Sequence, residues 1–382
     1  MLESTGSASD SVSLYFHVPF CTHKCAYCHF YVIPDKDSFK LQYMEGLQLE
    51  WFRWLPVLKN KKIVSVYFGG GTPALLGAPA ISKILSWIHS DLVFTTDNPE
   101  ITLEANPENI TKELMTEYAS AGINRVSIGI QTLDPHLLKV LERLHSAQKA
   151  LDAIWMTREA GIKNISVDLM YDLPGQTLDI WNRTLKEIQQ LPITHLSLYN
   201  LTIEPHTLFF KQQEVLRKQL PDPDTSLQMY ENAISVLAEG GLEQYEISAF
   251  ARDGKWSQHN VGYWTARPFL GLGPSAFSYW DNKRFRNVAN LSRYCKALLQ
   301  GDSPIDFSEE LSPEARRQEL LAVQLRLLHG VDLALFQQKH GTISLGPLEQ
   351  LQKEGLVLLS EGRARLTKRG VLFYDTVASE LI

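Results

Sequence analysis

Short apolar runs alternate with longer stretches of helical spacing through the first two-thirds of the chain. SLYFHV (13–18) stops at Pro19, and helical spacing follows around 38–55. IVSVYF (63–68) runs into Gly69-Gly70-Gly71-Thr72-Pro73, before a helix over 79–90 with Ile81, Ile84, Leu85 and Ile88 on one side. The rhythm continues with EITLEANP (100–107), a helix over 110–122, RVSIGIQT (125–132) and a helix over 147–160. It ends with ISVDLMYDLP (165–174), a helix over 177–190, HLSLYNLT (195–202) and a helix over 224–240. Strands joined by crossover helices must be parallel. The pattern gives six such units, fewer than the eight of a complete barrel. Polar residues gather where the strands end: Thr72, Glu104, Asn106, Gln131, Asp168, Asn200 and Thr202. Parallel α/β folds build their sites at the carboxyl ends of strands, so one site at one end of the sheet is expected.

The stretch 245–285, rich in glycine and aromatics, breaks the rhythm and reads as a large functional loop or lid, with a rigid plug as the alternative. Beyond about residue 305 the character changes again. An amphipathic helix, two short helices, a hairpin turning at Ser360-Glu361-Gly362 and a last helical stretch predict a small winged-helix-like α domain over 305–382. Residues 1–12 read as a flexible leader, and 13–300 as the main domain.

Composition changes this picture little. The 382 residues carry a net charge of −6 and no basic stripe, which argues against a nucleic-acid partner and against an anionic membrane surface. No apolar run approaches a membrane span, and the polar start lacks the features of a signal peptide, so a cytoplasmic location is expected.

Cysteine usage is the informative feature. Of four cysteines, three crowd into Cys21-Thr-His-Lys-Cys25-Ala-Tyr-Cys28, while Cys295 lies alone in a helix-like stretch as a small core residue. Three thiolates on a compact loop can ligate three irons of a [4Fe–4S] cubane and leave the fourth open. An open iron can be chelated by the amino and carboxylate groups of S-adenosylmethionine, whose reductive cleavage gives a 5′-deoxyadenosyl radical. Phe20, Tyr27 and Phe30 flank the thiols to keep water away, and Tyr27 is placed to lie against the adenine. The competing reading is a zinc site with His23 or His29 as fourth ligand, but the chain offers no second ligand pair.

The CX3CX2C spacing after a first strand resembles the radical SAM signature. With YFGGGTPALL, LEANPENI, RVSIGIQTLD, DLMYDLPGQT, HLSLYNLT, HNVGYW and FLGLGPSAFS, the chain resembles the oxygen-independent coproporphyrinogen III oxidase family from about residue 12 to 290. The resemblance implies an α/β fold, a partial (β/α)6 TIM-like barrel of the radical SAM type. It implies a [4Fe–4S] cluster on Cys21, Cys25 and Cys28, and S-adenosylmethionine held by Gly70, Gly71 and Thr72. Glu104 is implied at the ribose and Tyr15 at the methionine carboxylate. The residues alone allow a plain strand-to-helix turn at the glycines, a solvated Glu104 and a core Tyr15. Gln131, Arg143, Asp168 and Thr202 match positions of a second adenosylmethionine site in the oxidases, with a surface ion pair as the alternative for Arg143.

Two features separate the branches of this family. The oxidase pattern carries a fourth cysteine two residues after the third ligand, where this chain has Phe30. His259-Asn260-Val-Gly-Tyr263-Trp264 matches the HNXXYW motif of heme-binding members, which implies His259 as a heme ligand; a structural histidine is the alternative. The resemblance therefore implies a heme chaperone that passes heme to an acceptor protein, with an electron donor for its cluster and peripheral contact with membrane heme proteins. Oxidative decarboxylation of coproporphyrinogen III is the alternative, and radical chemistry on an unrelated substrate is a third reading.

Overall fold

A computed structural model describes residues 10–382. Of the expected leader, residues 1–9 lie outside the described residues, while Ser11 and Val12 already belong to the first strand.

The six expected strand–helix units are all present. Strands β1 (Ser11–Val18), β2 (Lys62–Gly70), β3 (Glu100–Ala105), β4 (Arg125–Gln131), β5 (Asn164–Tyr171) and β6 (His195–Asn200) pair in sequence order, each parallel to the next. Helices α1 (Asp37–Leu58), α2 (Ala78–Asp91), α3 (Lys112–Ala121), α4 (Ala147–Glu159), α5 (Leu178–Gln189) and α6 (Pro223–Glu239) follow them in turn.

The two-residue period of each strand sorts its side chains. Val12, Leu14, Phe16 and Val18 of β1, with Ile101 and Leu103 of β3 and Val126, Ile128 and Ile130 of β4, join the main apolar core with the helices. The alternate positions are polar and meet one another inside the curled sheet. Ser13 bonds Ser65 at 2.9 Å, Ser127 bonds Asp168 at 3.2 Å, and Ser166 bonds His195 at 2.8 Å.

The stretch 245–285 is not one irregular lid. Strands Glu243–Glu246 and Ala249–Ala251 form an antiparallel hairpin on the β6 edge, and α7 (Gln258–Trp264) follows. Then β7 (Phe269–Leu272) pairs parallel with β1, from Ser13↔Phe269 to Phe16↔Leu272. A seventh parallel strand thus joins the six-unit barrel. Its four residues are too short to show a period against the surrounding glycines. Strands β8 (Phe277–Trp280), β9 (Lys283–Asn287) and β10 (Ile305–Glu310) extend the sheet antiparallel. Residues 305–310, expected to open the small domain, therefore pair with the main sheet.

Beyond them, α8 (Pro313–Gln324) and the following short helices enclose a second apolar cluster that includes Leu321, Phe336, Leu348, Val357 and Val377. The expected hairpin is present, Val357–Ser360 with Arg363–Leu366, and Val331–Asp332 adds a third strand. Glu361 and Gly362 at its turn both have positive φ, 52° and 73°, as a tight two-residue hairpin turn requires. Arg326 joins this unit to the barrel: it pairs with Glu246 at 3.3 Å and lies 4.3 Å over the Trp264 ring.

Candidate functional site

After β1 the chain leaves the sheet at Pro19 and makes a loop that closes on itself. Phe20–Cys21 pairs with Ile33–Pro34, Ile33 N donates to Pro19 O at 2.7 Å, and Asp35 N donates to Cys21 O at 3.2 Å. Within this clasp, Cys28 N donates to Cys25 O at 3.1 Å. Cys21, Cys25 and Cys28 thereby face one cavity of about 420 Å³, whose other walls are the carboxyl ends of the strands.

Two glycines let the β2 turn pass close beneath the loop. Gly70 has φ +114°, a conformation side chains disfavour. At Gly71 a Cβ would lie 2.6 Å from the Phe20 carbonyl oxygen, immediately before Cys21.

A polar network runs from the thiols into the cavity. Thr72 Oγ1 lies 3.5 Å from Cys21 Sγ and accepts from Asn106 Nδ2 at 2.9 Å. Arg143 donates to Cys25 Sγ at 3.3 Å, to Asn106 Oδ1 at 2.8 Å and to the Gly129 carbonyl. Deeper down, Glu104 accepts from the Tyr67 hydroxyl at 2.8 Å and from Gly70 N at 3.1 Å. Burial, and then the nearby Asp168 carboxylate, push the Glu104 carboxyl up to about 7. Burial also raises Asp168, against the hydrogen bonds of Ser197 and Ser127. Gln131, at the end of β4, holds φ 67°, an uncommon backbone state for a non-glycine residue at a site wall.

The donor set suits an iron–sulfur cluster. Burial pushes the Cys21 thiol up to about 11 and raises Cys28 as well. Three sulfur donors on one loop facing one cavity are the soft set by which an iron–sulfur cluster is held. Of the two histidines of the zinc reading, His23 Nε2 lies 3.3 Å from a Glu142 oxygen, and the His29 ring stacks on Phe30 with centroids 4.7 Å apart. Among the described residues, no group of three His, Cys, Asp or Glu is arranged to hold a single metal ion. Next to the thiols, the glycine turn, Thr72, Asn106 and Glu104 offer backbone, hydroxyl, amide and carboxylate groups to a polar ligand.

Tyr27, Gly70, Gly71, Thr72, Glu104, Gln131, Arg143, Asp168 and Thr202 all line this one cavity with the three cysteines. Two expected site residues do not. Tyr15 stands partly buried inside the barrel, its hydroxyl 3.1 Å from His17 Nδ1 and its ring against Tyr67. His259 is also off the cavity and only 1 % exposed. Its Nδ1 lies 3.0 Å from Ser65 Oγ and its Nε2 2.8 Å from the Tyr263 hydroxyl, while its backbone N–H donates to Glu100 at 2.9 Å. Burial brings the His259 pKa down to about 3. In this arrangement neither nitrogen is available to a heme iron, and HNVGYW is a helix packed into the barrel. Phe30, expected to shield the thiols, is 51 % exposed at the rim.

The cavity also has walls that sequence reasoning did not assign: Ser127, Met170, Tyr199 and Glu204, with Lys24 at the loop. The signal for the first three lies in strand period. Ser127, Met170 and Tyr199 share inward parity with Arg125, Asp168 and Ser197 on their own strands.

Residues 15–188 match the Radical SAM superfamily and residues 311–373 the HemN C-terminal domain. The chain is 32 % identical to the heme chaperone HemW of Bacillus subtilis, over 96 % of this chain and 97 % of that protein. It is 39 % identical to the mitochondrial radical S-adenosyl methionine domain-containing protein 1 of Danio rerio, over 97 % of this chain and 86 % of that protein. The coproporphyrinogen III oxidase HemN of Escherichia coli has the same fold, with a TM-score of 0.86 over 99 % of this chain and 91 % of that one at 23 % identity. With these similarities running nearly end to end through both the cysteine loop and the C-terminal unit, the chain belongs to the HemW heme-chaperone family of radical SAM proteins.

Proposed function

We propose that this protein is a heme chaperone that binds heme and hands it to an acceptor protein. The observation that carries the reading is the end-to-end similarity to the HemW chaperone of Bacillus subtilis, at 32 % identity. Phe30, standing where the oxidase pattern has a further cysteine, supports the same branch.

In this reading Cys21, Cys25 and Cys28 hold a [4Fe–4S] cluster, and the cavity holds S-adenosylmethionine. The cluster, when bound, supplies one-electron chemistry at its open iron. The protein's own part is positioning. The Gly70–Gly71 turn brings backbone close to the ligand, Glu104 accepts from ribose hydroxyls, and Arg143 neutralises charge on the thiolate side. Gln131, Arg143, Asp168 and Thr202 line the same cavity, where the family resemblance places a second S-adenosylmethionine. The reading places the protein in the cytoplasm, with an acceptor among heme-dependent proteins and an electron donor for the cluster. No helix among the described residues is long and apolar enough to cross a membrane.

The test is anaerobic. Reconstituted protein is mixed with heme, then with an apo-form heme acceptor, and the Soret band is followed through separation of the two proteins. Stoichiometric binding and transfer are expected. Efficient conversion of coproporphyrinogen III to protoporphyrinogen without heme transfer would overturn the reading in favour of the oxidase.

A further inference from the structure

We propose that the heme iron is taken by His29 at the cavity mouth, with Phe30 against the macrocycle, and not by His259. The inference rests on the heme-chaperone reading. An axial ligand must present an uncommitted ring nitrogen, with room beside it for a flat macrocycle. His259 offers neither, since Ser65 and Tyr263 occupy both nitrogens at 3.0 and 2.8 Å inside the barrel.

His29 offers both. It follows Cys28 in the chain, is exposed, and lines the mouth of the cavity. Neither ring nitrogen makes a hydrogen bond among the described residues; the contact of the ring is its stack on Phe30, with centroids 4.7 Å apart. Phe30 is a large apolar ring at the rim, half open to water and stacked 28° from the His29 plane, so its edge would meet the face of a porphyrin held by His29. Lys24, on the same rim, donates to the Phe30 carbonyl at 3.1 Å and brings a cation within range of a propionate. His23, the other rim imidazole, has its Nε2 3.3 Å from a Glu142 oxygen, so the carboxylate covers one of its two nitrogens. An exposed imidazole, an exposed aromatic ring and a cation on one short loop match the three parts of an iron porphyrin: metal, macrocycle and carboxylates.

The experiment compares wild type, His29→Ala, His29→Met and His259→Ala, each reconstituted anaerobically and assayed for iron and sulfide. Each is titrated with hemin and read by its Soret band. Binding is expected to weaken about tenfold or more in His29→Ala, with added imidazole restoring the wild-type spectrum. His29→Met, which keeps a long side chain beside Cys28, is expected to retain its cluster and shift the band. His259→Ala is expected to keep the wild-type band. An unchanged spectrum and affinity in both His29 variants overturns this site and leaves the chaperone reading standing. Loss of heme from a cluster-replete His259→Ala protein also overturns it. Absence of any stoichiometric band in wild type overturns the chaperone reading itself, and the site with it.

Discussion

The Arg143 guanidinium donates to Cys25 Sγ at 3.3 Å while the same group holds Asn106 Oδ1 at 2.8 Å. One side chain thus ties the cysteine loop to the ends of β3 and β4, and places a positive charge on a cluster thiolate.

That charge favours the reduced, more negative cluster. Arg143→Leu is expected to lower the cluster's reduction potential by on the order of 60 mV, the equivalent of one charge-assisted hydrogen bond in a one-electron couple. Arg143→Lys should recover only part of the shift, because lysine keeps the charge without the planar fork. A redox titration followed by electron paramagnetic resonance measures this. An unchanged potential would show that the guanidinium leaves Cys25 once the cluster is assembled.

Glu104 gives the adenosylmethionine site a pH dependence. Its carboxyl is raised to about 7, so the carboxylate that accepts hydroxyl donors exists mainly above that value. Binding of S-adenosylmethionine to the cluster-loaded protein should therefore tighten as pH rises through about 7. In Glu104→Gln the step should vanish, and affinity well above pH 7 should fall about tenfold. Equilibrium titration across the range decides it, and a step that survives in the variant assigns it to another group.

His259 carries a stability prediction. Its pKa falls from 6.5 to about 3 on burial, so between these values the unfolded chain binds the extra proton. Its contribution is complete above about pH 6.5 and is lost as pH falls toward 3. His259→Ala, which strands the Ser65 and Tyr263 hydroxyls, should cost about 2–4 kcal/mol near neutrality. The gap from wild type should narrow in acid. Urea unfolding at several pH values tests both statements.

Gly71 is a steric requirement of the cluster loop. A methyl group there meets the Phe20 carbonyl at 2.6 Å, and backbone is the part that must give. Gly71→Ala is expected to cost about 2–3 kcal/mol and to lower the iron and sulfide bound after reconstitution. Full cluster content in that variant would mean that the turn and the loop shift together.

The cysteine loop and the strand-end residues were legible in the sequence because each lies at a position fixed by short-range pattern. A strand that stops at Pro19 must hand the next residues to a loop, and Thr72, Glu104 and Asp168 sit on or just after strands of clear period. The inner walls were harder to read. Ser127, Met170 and Tyr199 face inward by strand parity, yet in a sheet buried on both sides the apolar outer set dominates the pattern. The stretch 245–285 was misread because β7 is four residues long, and its pairing with β1 is a long-range event that no local window contains.

The sequence by itself determined the parallel order of six strands, the three thiols and the end of the sheet where the site forms, all consequences of local periodicity and chain connectivity. Which imidazole can reach a ligand was decided only by the tertiary structure. His259 stands in a recognisable motif, but packing puts it inside the barrel with both nitrogens committed to hydroxyl groups. His29 has no motif of its own, and the closure of the cysteine loop leaves it at the cavity mouth beside Phe30. Burial and hydrogen-bond partners are properties of the folded contacts, and residue type alone does not carry them.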